Sequence, residues 1–302
     1  MSKPLISVIM SCYNERLNVL SQAVESILNQ TYEMLQFIII VDNPDNNGLI
    51  NVLRKYSEKD SRIEIHINKK NIGLAASLNK AIDLAKGEYI ARMDADDISL
   101  LYRLEEQLYY LQSKKLDITG SWYQYISDDG VKMRVIKEPA TNVEKIVKYY
   151  CCVGHPTYFV KAECYRKLGG YTDLQECEDY HFLLRARKAG FRIGNYPKIC
   201  LYYRLSAEGK CRKNAETIET IAWMMSRKCD EINSINNNTI LSYLNSIDGK
   251  NDKRKVEEYK IASRLSSVFI KISKCIALLP FNSYARYIAK NKIVKMIELG
   301  IM

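Results

Sequence analysis

The chain has 302 residues, of which 47% are hydrophobic, so it can bury a full core and hold one large domain with a substantial appendage. This composition excludes an intrinsically disordered protein and a small scaffold held together by disulfides. The nine cysteines form no C-x-x-C pair, and we predict reduced thiols in a cytoplasmic protein. The net charge is +10, and most of the excess positive charge lies after residue 249. This charge therefore bears on the partner of the C-terminal segment and says little about the rest of the chain.

Strand-like and helical segments alternate over the first hundred residues. Strands are predicted at 5–11, 35–42, 63–67 and 89–93, and helices at 18–29, 49–59 and 74–86. This alternation is typical of an α/β domain whose mostly parallel sheet carries helices on both faces. Such sheets bind ligands beyond the carboxyl ends of their strands, so functional residues are expected there.

The rest of the chain predicts a smaller antiparallel part followed by helices. Strands at 118–125 and 132–136 flank the turn Asp128-Asp129-Gly130, which is a hairpin signal. Further predicted elements are a short helix near 142–150, a strand at 157–161, a helix at 178–189 and a strand at 199–205. Beyond residue 214 the pattern is helical, with a polar break at 233–238. We therefore divide the chain into an α/β domain, residues 1–213, and a basic helical extension, residues 214–302.

Polar side chains follow each of the first three predicted strands, at Ser11 to Glu15, at Asp42 and at Asn71. Tyr13 offers an aromatic face for a nucleobase, and Asp42 offers an acceptor for a base N–H or a ribose hydroxyl. Ordinary alternatives exist, because the chain has 22 tyrosines and an aspartate before Asn43-Pro44 is common turn chemistry. The position of these residues after the strands favours the functional interpretation.

An acidic cluster, Asp94-Ala95-Asp96-Asp97, follows the fourth predicted strand. Three carboxylates this close repel one another unless a cation lies between them, and hard oxygen ligands suit Mg²⁺ or Mn²⁺. The alternative is an acidic flank for the helix that begins near Leu101, which needs only one carboxylate. The position at the end of a parallel strand favours a metal that binds a diphosphate.

A second acidic pair, Glu178-Asp179, opens a predicted helix after a glycine pair. One of these carboxylates could deprotonate a hydroxyl within hydrogen-bond reach. Capping of the helix is the alternative, and it is sufficient on its own. A base of this kind, together with a cation upstream that holds the leaving group, would supply the two parts that an inverting displacement needs.

The C-terminal segment combines apolar and basic residues at helical spacing. Between Ile261 and Leu279 the apolar side chains take one helix face and lysines and arginines the other. This pattern suits either packing on the main domain or binding to an anionic membrane surface at the inner face of the plasma membrane. No apolar run in the sequence is long enough to cross a membrane. The segment contains no base-reading or stacking motif, so a nucleic-acid partner is not predicted.

Several motifs in this order resemble the family-two glycosyltransferases of the GT-A fold. They cover roughly the first 205 residues and are Pro4 to Asn14, Ile40-Val41-Asp42-Asn43, Asn71-Ile72-Gly73-Leu74-Ala75, Met93-Asp94-Ala95-Asp96-Asp97, Gly169-Gly170-Tyr171 and Glu178-Asp179-Tyr180. The resemblance implies a nucleoside-diphosphate sugar donor, with a UDP-sugar favoured, a divalent Mn²⁺ or Mg²⁺, and inversion at the anomeric carbon. The implied enzyme is a hexosyl- or N-acetylhexosaminyl-transferase.

The resemblance also implies roles for individual residues. The metal would be bound by Asp94 and Asp96, and the general base would be Asp179. The nucleotide sugar would be contacted by Ser11, Tyr13, Glu15, Asp42, Asn71 and Asp94. The acceptor would be a lipid-linked or growing surface glycan, as in capsule or O-antigen synthesis.

Three departures from the family pattern matter. Asn43 stands where many members have a second aspartate, and no histidine near Tyr203 supplies the extra metal ligand that some members have. No Gln-x-x-Arg-Trp motif follows Asp179, which favours transfer of one sugar at a time over processive polymerisation. A catalytically silent binding protein of the same fold stays as an alternative, although Asp96 and Asp179 are both present. A sugar-phosphate nucleotidyltransferase would be expected to have a glycine-rich phosphate loop after the first strand, which Ser11 to Asn14 does not provide.

Overall fold

The computed structural model describes residues 3–174, 176–205, 215–246, 251 and 253, and its first hundred residues alternate strands with helices. These elements are β1 (Ile6–Cys12), α1 (Leu17–Leu28), β2 (Leu35–Val41), α2 (Asn47–Ser57), β3 (Ile63–Ile67), α3 (Leu74–Leu84) and β4 (Tyr89–Asp94). All seven were predicted from the hydrophobic pattern, with ends that differ by at most a few residues. Strand β2 is buried along its whole length and apolar apart from Gln36, which is typical of a strand buried on both faces.

The second half of the body contains shorter elements. They are β5 (Ile98–Ser99), α4 (Arg103–Ser113), β6 (Ile118–Ile126), β7 (Lys132–Ile136), α5 (Val143–Ile146), a 3₁₀ turn (His155–Thr157), β8 (Phe159–Lys161), α6 (Ala162–Leu168), α7 (Glu178–Lys188) and β9 (Ile193–Arg204). Three further helical segments follow: α8 (Ala215–Arg227), a 3₁₀ segment (Cys229–Ser234) and α9 (Asn237–Asn245).

The described strands form one mixed sheet in the order β3-β2-β1-β4-β8-β6-β9-β5, with β7 paired to β6. Strands β3, β2, β1 and β4 are parallel, so their carboxyl ends meet at one edge. The hairpin of β6 and β7 is antiparallel, as predicted, and β8 joins β4 to β6 by antiparallel pairing. The predicted α/β class, with a mostly parallel sheet, is therefore confirmed.

Helices cover both faces of this sheet because successive side chains of each strand point to opposite sides. On β2, Ile38 and Ile40 join one core cluster, and Phe37 and Ile39 join the other. Helix α3 packs on the first cluster, and α1, α2 and α4 pack on the second. The central strands are thereby fixed, and the loops after them become the rim of the site.

Two boundaries differ from the sequence-based expectation. Strand β9 begins at Ile193, not at residue 199. It continues through Pro197 and Lys198, which are exposed at a register shift opposite Ser121 and Trp122. A bulge tolerates proline within a strand, so the proline did not mark its beginning. Helix α6 was not predicted at all, since seven residues are too few to establish a helical period.

The helices α8 and α9 pack on the main core. Ile221, Met224 and Ile240 belong to the same cluster as Leu183 of α7. The Nε2 atom of His181 also lies 2.9 Å from the carbonyl oxygen of Ile232. The helical character predicted after residue 214 is confirmed for this part, while the division of the chain at residues 213 and 214 stays a prediction.

The amphipathic segment 261–279 lies outside the described residues. Within the part of the chain that the structure describes, no helix is both long enough and apolar enough to pass through a membrane.

Candidate functional site

A carboxylate cluster of Asp94, Asp96 and Asp97 lies at the carboxyl end of β4. One carboxylate oxygen from each of the three residues lies within 4.8 Å of the others. Among the described residues, this is the group that could hold a metal ion. Asp94 and Asp96 are half-buried, whereas Asp97 is buried. Burial, followed by the charges of Asp94 and Glu15, raises the pKa of Asp96 to about 7. The cluster therefore concentrates negative charge that a cation would relieve.

Two arginines, Arg92 and Arg204, hold the cluster in place. Arg92, buried two residues before Asp94 in β4, makes a two-pronged ion pair with it, and Nη1 donates to Oδ2 at 2.6 Å. Burial alone would lower the pKa of Arg92, but the charge of Asp94 raises it above the usual value. The backbone N–H of Arg204 donates to Asp97 Oδ1 at 2.8 Å, and its Nε donates to the carbonyl oxygen of Asp96 at 2.9 Å. Both contacts hold the loop after β4 in place.

The donor set fits a hard divalent cation. Carboxylate oxygens are the ligands that Mg²⁺ and Mn²⁺ prefer, and Asp94 and Asp96 are both half-buried, so neither residue is sealed from solvent. Asp97 Oδ2 is buried and has no hydrogen-bond partner, although its neighbour Oδ1 does. An unpartnered buried carboxylate oxygen of this kind is costly without a counter-charge nearby.

Asp42, at the end of β2, organises the loop before α3. Its Oδ1 accepts from Asn68 Nδ2 at 2.8 Å and from the backbone N–H of Ile72 at 2.9 Å, and its Oδ2 accepts from Gly73 N–H at 2.9 Å. Asn71, which is exposed, also accepts from Gly73 N–H at 2.9 Å. Gly73 has a φ of 89°, a backbone conformation that glycine adopts without strain. The side chains of Asp42 and Asn71 therefore meet at the loop before α3, and the Asp42 carboxylate faces the backbone of that loop.

The residues after β1 form the neighbouring rim. Ser11 is half-buried, and Tyr13 is 44% exposed, so its ring is accessible. Glu15 accepts from the backbone N–H of Tyr13 at 2.7 Å, and burial raises the pKa of the Glu15 carboxyl. Ser11 of β1 is the register partner of Asp94 of β4, so this rim lies beside the carboxylate cluster.

A cleft of about 900 Å³ runs from Asp94 to Asp179. It connects the carboxylate cluster to the first turn of α7, although Asp94 and Asp179 are 85 positions apart in the sequence. The cleft is also lined by Ile72, Gly73, Arg92, His155, Glu178 and, from the C-terminal helices, Ile218 and Asn237. Ser11, Tyr13, Glu15, Asp42, Asn71 and Asp96 are not among its lining residues, although Ser11 is the register partner of Asp94.

Asp179 lies in the first turn of α7, where the chain enters the helix through Cys177 with a φ of 63°. Its Oδ1 accepts from Tyr180 N–H at 2.7 Å, and the thiol of Cys151 donates to its Oδ2 at 3.7 Å. Burial raises the pKa of Asp179, which makes it a stronger proton acceptor than a solvated aspartate. Burial also raises the pKa of Cys151 well above its usual value, so this thiol stays protonated and able to donate.

Glu178 has a different environment from its neighbour. Burial, followed by the charge of Asp179, raises the pKa of Glu178 to about 7. His155 Nδ1 lies 3.7 Å from Glu178 Oε1, and His155 Nε2 lies 3.1 Å from the hydroxyl of Tyr171. Because burial lowers the pKa of His155 well below its usual value, the imidazole is neutral beside Glu178.

Sequence reasoning missed several residues that shape the cleft. Arg92 had a recognisable signal, since a charge inside an apolar strand two residues before a carboxylate needs a partner. Tyr123, Tyr125 and Tyr203 line the cleft from β6 and β9, and their strand periodicity gave no sign of which face they take. Cys151 contacts Asp179 across 28 positions, which no local pattern reveals.

This geometry separates two chemical functions along one cleft. A cation held by Asp94 and Asp96 would place positive charge at one end, where it can offset a departing anion. At the other end, Asp179 can accept a proton from a hydroxyl. Such a division suits a displacement in which one group leaves as an anion and another attacks after losing its proton.

Comparison with known proteins identifies the family of this chain. The model of Glycosyl transferase family 2 matches residues 7–187. An uncharacterized glycosyltransferase of Methanocaldococcus jannaschii is 36% identical over 209 residues, covering 68% of this chain and 72% of the relative. The O-antigen biosynthesis glycosyltransferase WbnJ of Escherichia coli is 34% identical over 207 residues, covering 67% and 80%. The E. coli UDP-Glc:alpha-D-GlcNAc-diphosphoundecaprenol beta-1,3-glucosyltransferase WfaP is 30% identical over 204 residues, covering 67% and 78%.

Solved structures share the fold at low sequence identity. The mannosyltransferase PcManGT of Pyrobaculum calidifontis, solved with GDP-Man and Mn²⁺, matches with a TM-score of 0.61 and 16% identity, covering 99% of this chain and 87% of that one. TarS residues 1–349 of S. aureus, solved with UDP-GlcNAc, match with a TM-score of 0.59 and 14% identity, covering 98% and 92%. These likenesses confirm the GT-A architecture predicted from the sequence.

Proposed function

Because this chain belongs to glycosyl transferase family 2, we propose that it transfers a single sugar from a nucleoside-diphosphate sugar to a glycan hydroxyl, with inversion at the anomeric carbon. The observation that carries this proposal is the cleft, about 900 Å³ in volume, which is lined by Asp94 at one end and Asp179 at the other. One sugar ring with its leaving group and one acceptor hydroxyl fit the two chemistries that these ends provide.

The first end, which we call the donor end, consists of Asp94, Asp96 and the rim after β1, β2 and β3. Asp94 and Asp96 would hold Mn²⁺ or Mg²⁺, which supplies positive charge to the departing diphosphate. Support comes from the crowded carboxylates and from the relative solved with GDP-Man and Mn²⁺. At this end Ser11, Tyr13, Glu15, Asp42 and Asn71 would bind the nucleoside.

The second end, which we call the acceptor end, consists of Asp179 and the cleft walls around it. The acceptor hydroxyl oxygen would attack the anomeric carbon while the bond from that carbon to the diphosphate oxygen breaks. Asp179 would take the hydroxyl proton, and the nucleoside diphosphate would leave with the bonding electron pair. The thiol of Cys151, which donates to Asp179, would orient the carboxylate for this transfer.

The relatives suggest the identity of the substrates. WfaP is named for a UDP-Glc donor and a diphosphoundecaprenol-linked acceptor, and WbnJ for O-antigen biosynthesis. We therefore favour a UDP-hexose or UDP-N-acetylhexosamine donor and a lipid-linked or growing surface glycan as acceptor. The protein would then act at the cytoplasmic face of the membrane, and the basic residues beyond 249 would help to hold it there.

Donor consumption in the presence and absence of metal tests this function. The purified chain would be incubated with a panel of UDP-, GDP- and dTDP-sugars with Mn²⁺, Mg²⁺ or EDTA, and nucleotide release would be measured. We expect one donor to be consumed with metal and none with EDTA, and NMR of the product from an acceptor glycan should show the inverted anomer. If calorimetry detects no binding of any nucleotide with either metal, the transferase proposal fails and a glycan-binding role takes its place.

A further inference from the structure

A chain of hydrogen bonds between side chains lies behind the loop that precedes α3. Lys80 Nζ on α3 donates to Asn68 Oδ1 at 2.8 Å, and Asn68 Nδ2 donates to Asp42 Oδ1 at 2.8 Å. Asn68 and Asp42 are only 3% and 4% exposed, and Lys80 is half-buried. One amide therefore joins a cation on α3 to the carboxylate that follows β2, largely out of reach of solvent.

The chemistry of the two partners determines how the Asn68 amide is oriented. An ammonium group has only donors and a carboxylate has only acceptors, so the amide oxygen faces Lys80 and the amide nitrogen faces Asp42. The same nitrogen also donates to Ser77 Oγ at 3.0 Å. The bonds to Lys80 and Asp42 are both charge-assisted, and an amide polarised from both ends strengthens each of them.

Asp42 transmits this arrangement to the loop of residues 71–73. Its two oxygens accept from the backbone N–H groups of Ile72 and Gly73, each at 2.9 Å. Ile72 and Gly73 line the cleft, and the neighbouring Asn71 is exposed. The terminal torsion of an aspartate side chain is soft, so the direction of its carboxylate depends on its partners. The position of this part of the cleft wall therefore depends on the bond from Asn68.

We propose that Lys80 and Asn68 are positioning residues of the donor end, which hold the Asp42 carboxylate against the loop of residues 71–73 and so keep that loop in the shape that binds the nucleotide. Neither residue is among the described residues that line the cleft, so both act through Asp42. This inference rests on the proposed function and extends the donor end to side chains behind its wall.

Nucleotide affinity tests the inference. The full chain would be titrated by calorimetry with UDP and with GDP in the presence of Mn²⁺. We expect Asn68→Ala to bind the preferred nucleotide roughly tenfold more weakly and Lys80→Met about fivefold more weakly. Lys80→Arg keeps the charge and should stay within about twofold of wild type. In turnover assays the donor KM should rise more than kcat falls, because the reacting groups are untouched.

Lys86→Met is the matched control for Lys80→Met. The Lys86 ammonium also contacts a side chain of β3, Glu64 Oε1 at 2.8 Å, but Glu64 lies near the amino end of that strand. This variant should therefore keep the wild-type affinity. Urea unfolding of each variant would check that the fold is retained. Because Lys80 is only half-buried, Lys80→Met keeps the inference testable if Asn68→Ala does not fold.

A double-mutant cycle separates action through Asp42 from an independent effect. In an Asp42→Asn background, Lys80→Met should weaken nucleotide binding by less than about twofold further, because the carboxylate that it positions is gone. A full fivefold loss in that background would overturn the inference. Wild-type affinity in Lys80→Met, or an equal loss in Lys86→Met, would also overturn it.

The wild type distinguishes failure of this inference from failure of the function beneath it. Metal-dependent nucleotide binding by the wild type would stand in each of the cases that overturn the role of Lys80 and Asn68. Absence of UDP and GDP binding by the wild type would overturn the transferase proposal and this inference together.

Discussion

The two ends of the cleft are built in different ways. At the donor end, the functional side chains follow adjacent parallel strands, and each is held by contacts that the strand ends supply, such as Arg92 to Asp94 and Asp42 to Gly73. At the acceptor end, Asp179 is placed by the first turn of α7, by Cys151 and by loops that the C-terminal helices support. Asn237 of α9, for example, donates to the carbonyl oxygen of Asp173 at 2.8 Å.

This difference indicates how each end contributes. The donor end has the shape of a sheet edge, which the common fold of the family provides, so binding of the nucleotide and metal is expected to tolerate changes elsewhere. The acceptor end also depends on α8 and α9, which lie outside the residues 7–187 that the family model matches, so we expect it to determine which hydroxyl is glycosylated. Substitutions at the two ends should therefore have separable effects.

The largest effect is expected at the acceptor end, from Asp179→Asn. The amide cannot accept a proton, so transfer to an acceptor should fall about 1000-fold, the range in which a positioned base contributes. Rates of sugar transfer would be measured with saturating donor. Transfer within threefold of wild type would show that another group is the base.

Asp96→Asn tests the donor end and should lower metal-dependent donor turnover roughly 100-fold. Loss of a ligand charge weakens the cation that offsets the departing diphosphate. Turnover would be measured across a Mn²⁺ titration, with Asp83→Asn as a control on an exposed helix surface. A turnover that does not depend on Mn²⁺ in either protein would contradict this role.

Asp42→Asn should reduce stability as well as donor affinity. Its carboxylate accepts three hydrogen bonds, two of them from the backbone N–H groups of Ile72 and Gly73. An amide nitrogen would face one of these donors, so we expect the free energy of unfolding to fall by about 2 kcal/mol. Urea unfolding would measure the change, and an unaltered midpoint would show that the loop does not depend on this charge.

Glu178→Gln should change the dependence of stability on pH. Burial raises the pKa of Glu178 to about 7 in the folded chain, against about 4.3 for a solvated glutamate, so between these values the folded state holds a proton that the unfolded state releases. Wild-type stability should therefore fall as pH rises through this window, and the glutamine variant should lack that part of the fall.

The expected size of this effect is on the order of 2 kcal/mol in favour of the variant at pH 8, with little difference at pH 4. Chemical denaturation at the two pH values measures it. A variant that loses stability at pH 8 would show that the Glu178 charge is stabilised in the fold.

Much of the donor end could be predicted from the sequence because its signals are local. Apolar runs followed by polar residues locate the ends of β1, β2 and β4, and three carboxylates in four residues at the end of a parallel strand favour a cation site over a helix flank. The sequence could not reveal that Asp42 is turned toward the backbone of the loop before α3. That orientation depends on N–H groups 30 residues further along the chain.

The acceptor end was predicted only through Glu178-Asp179. Its other components come together through pairing of β6 with β9, a parallel contact between distant strands, and through packing of α8 and α9. A tyrosine in a strand with one half-buried face gives no local sign of lining a cleft. The start of β9 was also misplaced, because Pro197 lies in a bulge that only the partner strand makes visible.

Calorimetric titration of UDP in the presence of Mn²⁺, carried out on the wild type, Asp96→Asn and Asp179→Asn, tests the division of the cleft most directly. The account predicts metal-dependent binding by the wild type and by Asp179→Asn, and binding at least tenfold weaker by Asp96→Asn. Equal weakening in both variants, or UDP affinity that is the same with EDTA, would contradict the separation of a metal-bearing donor end from an acceptor end.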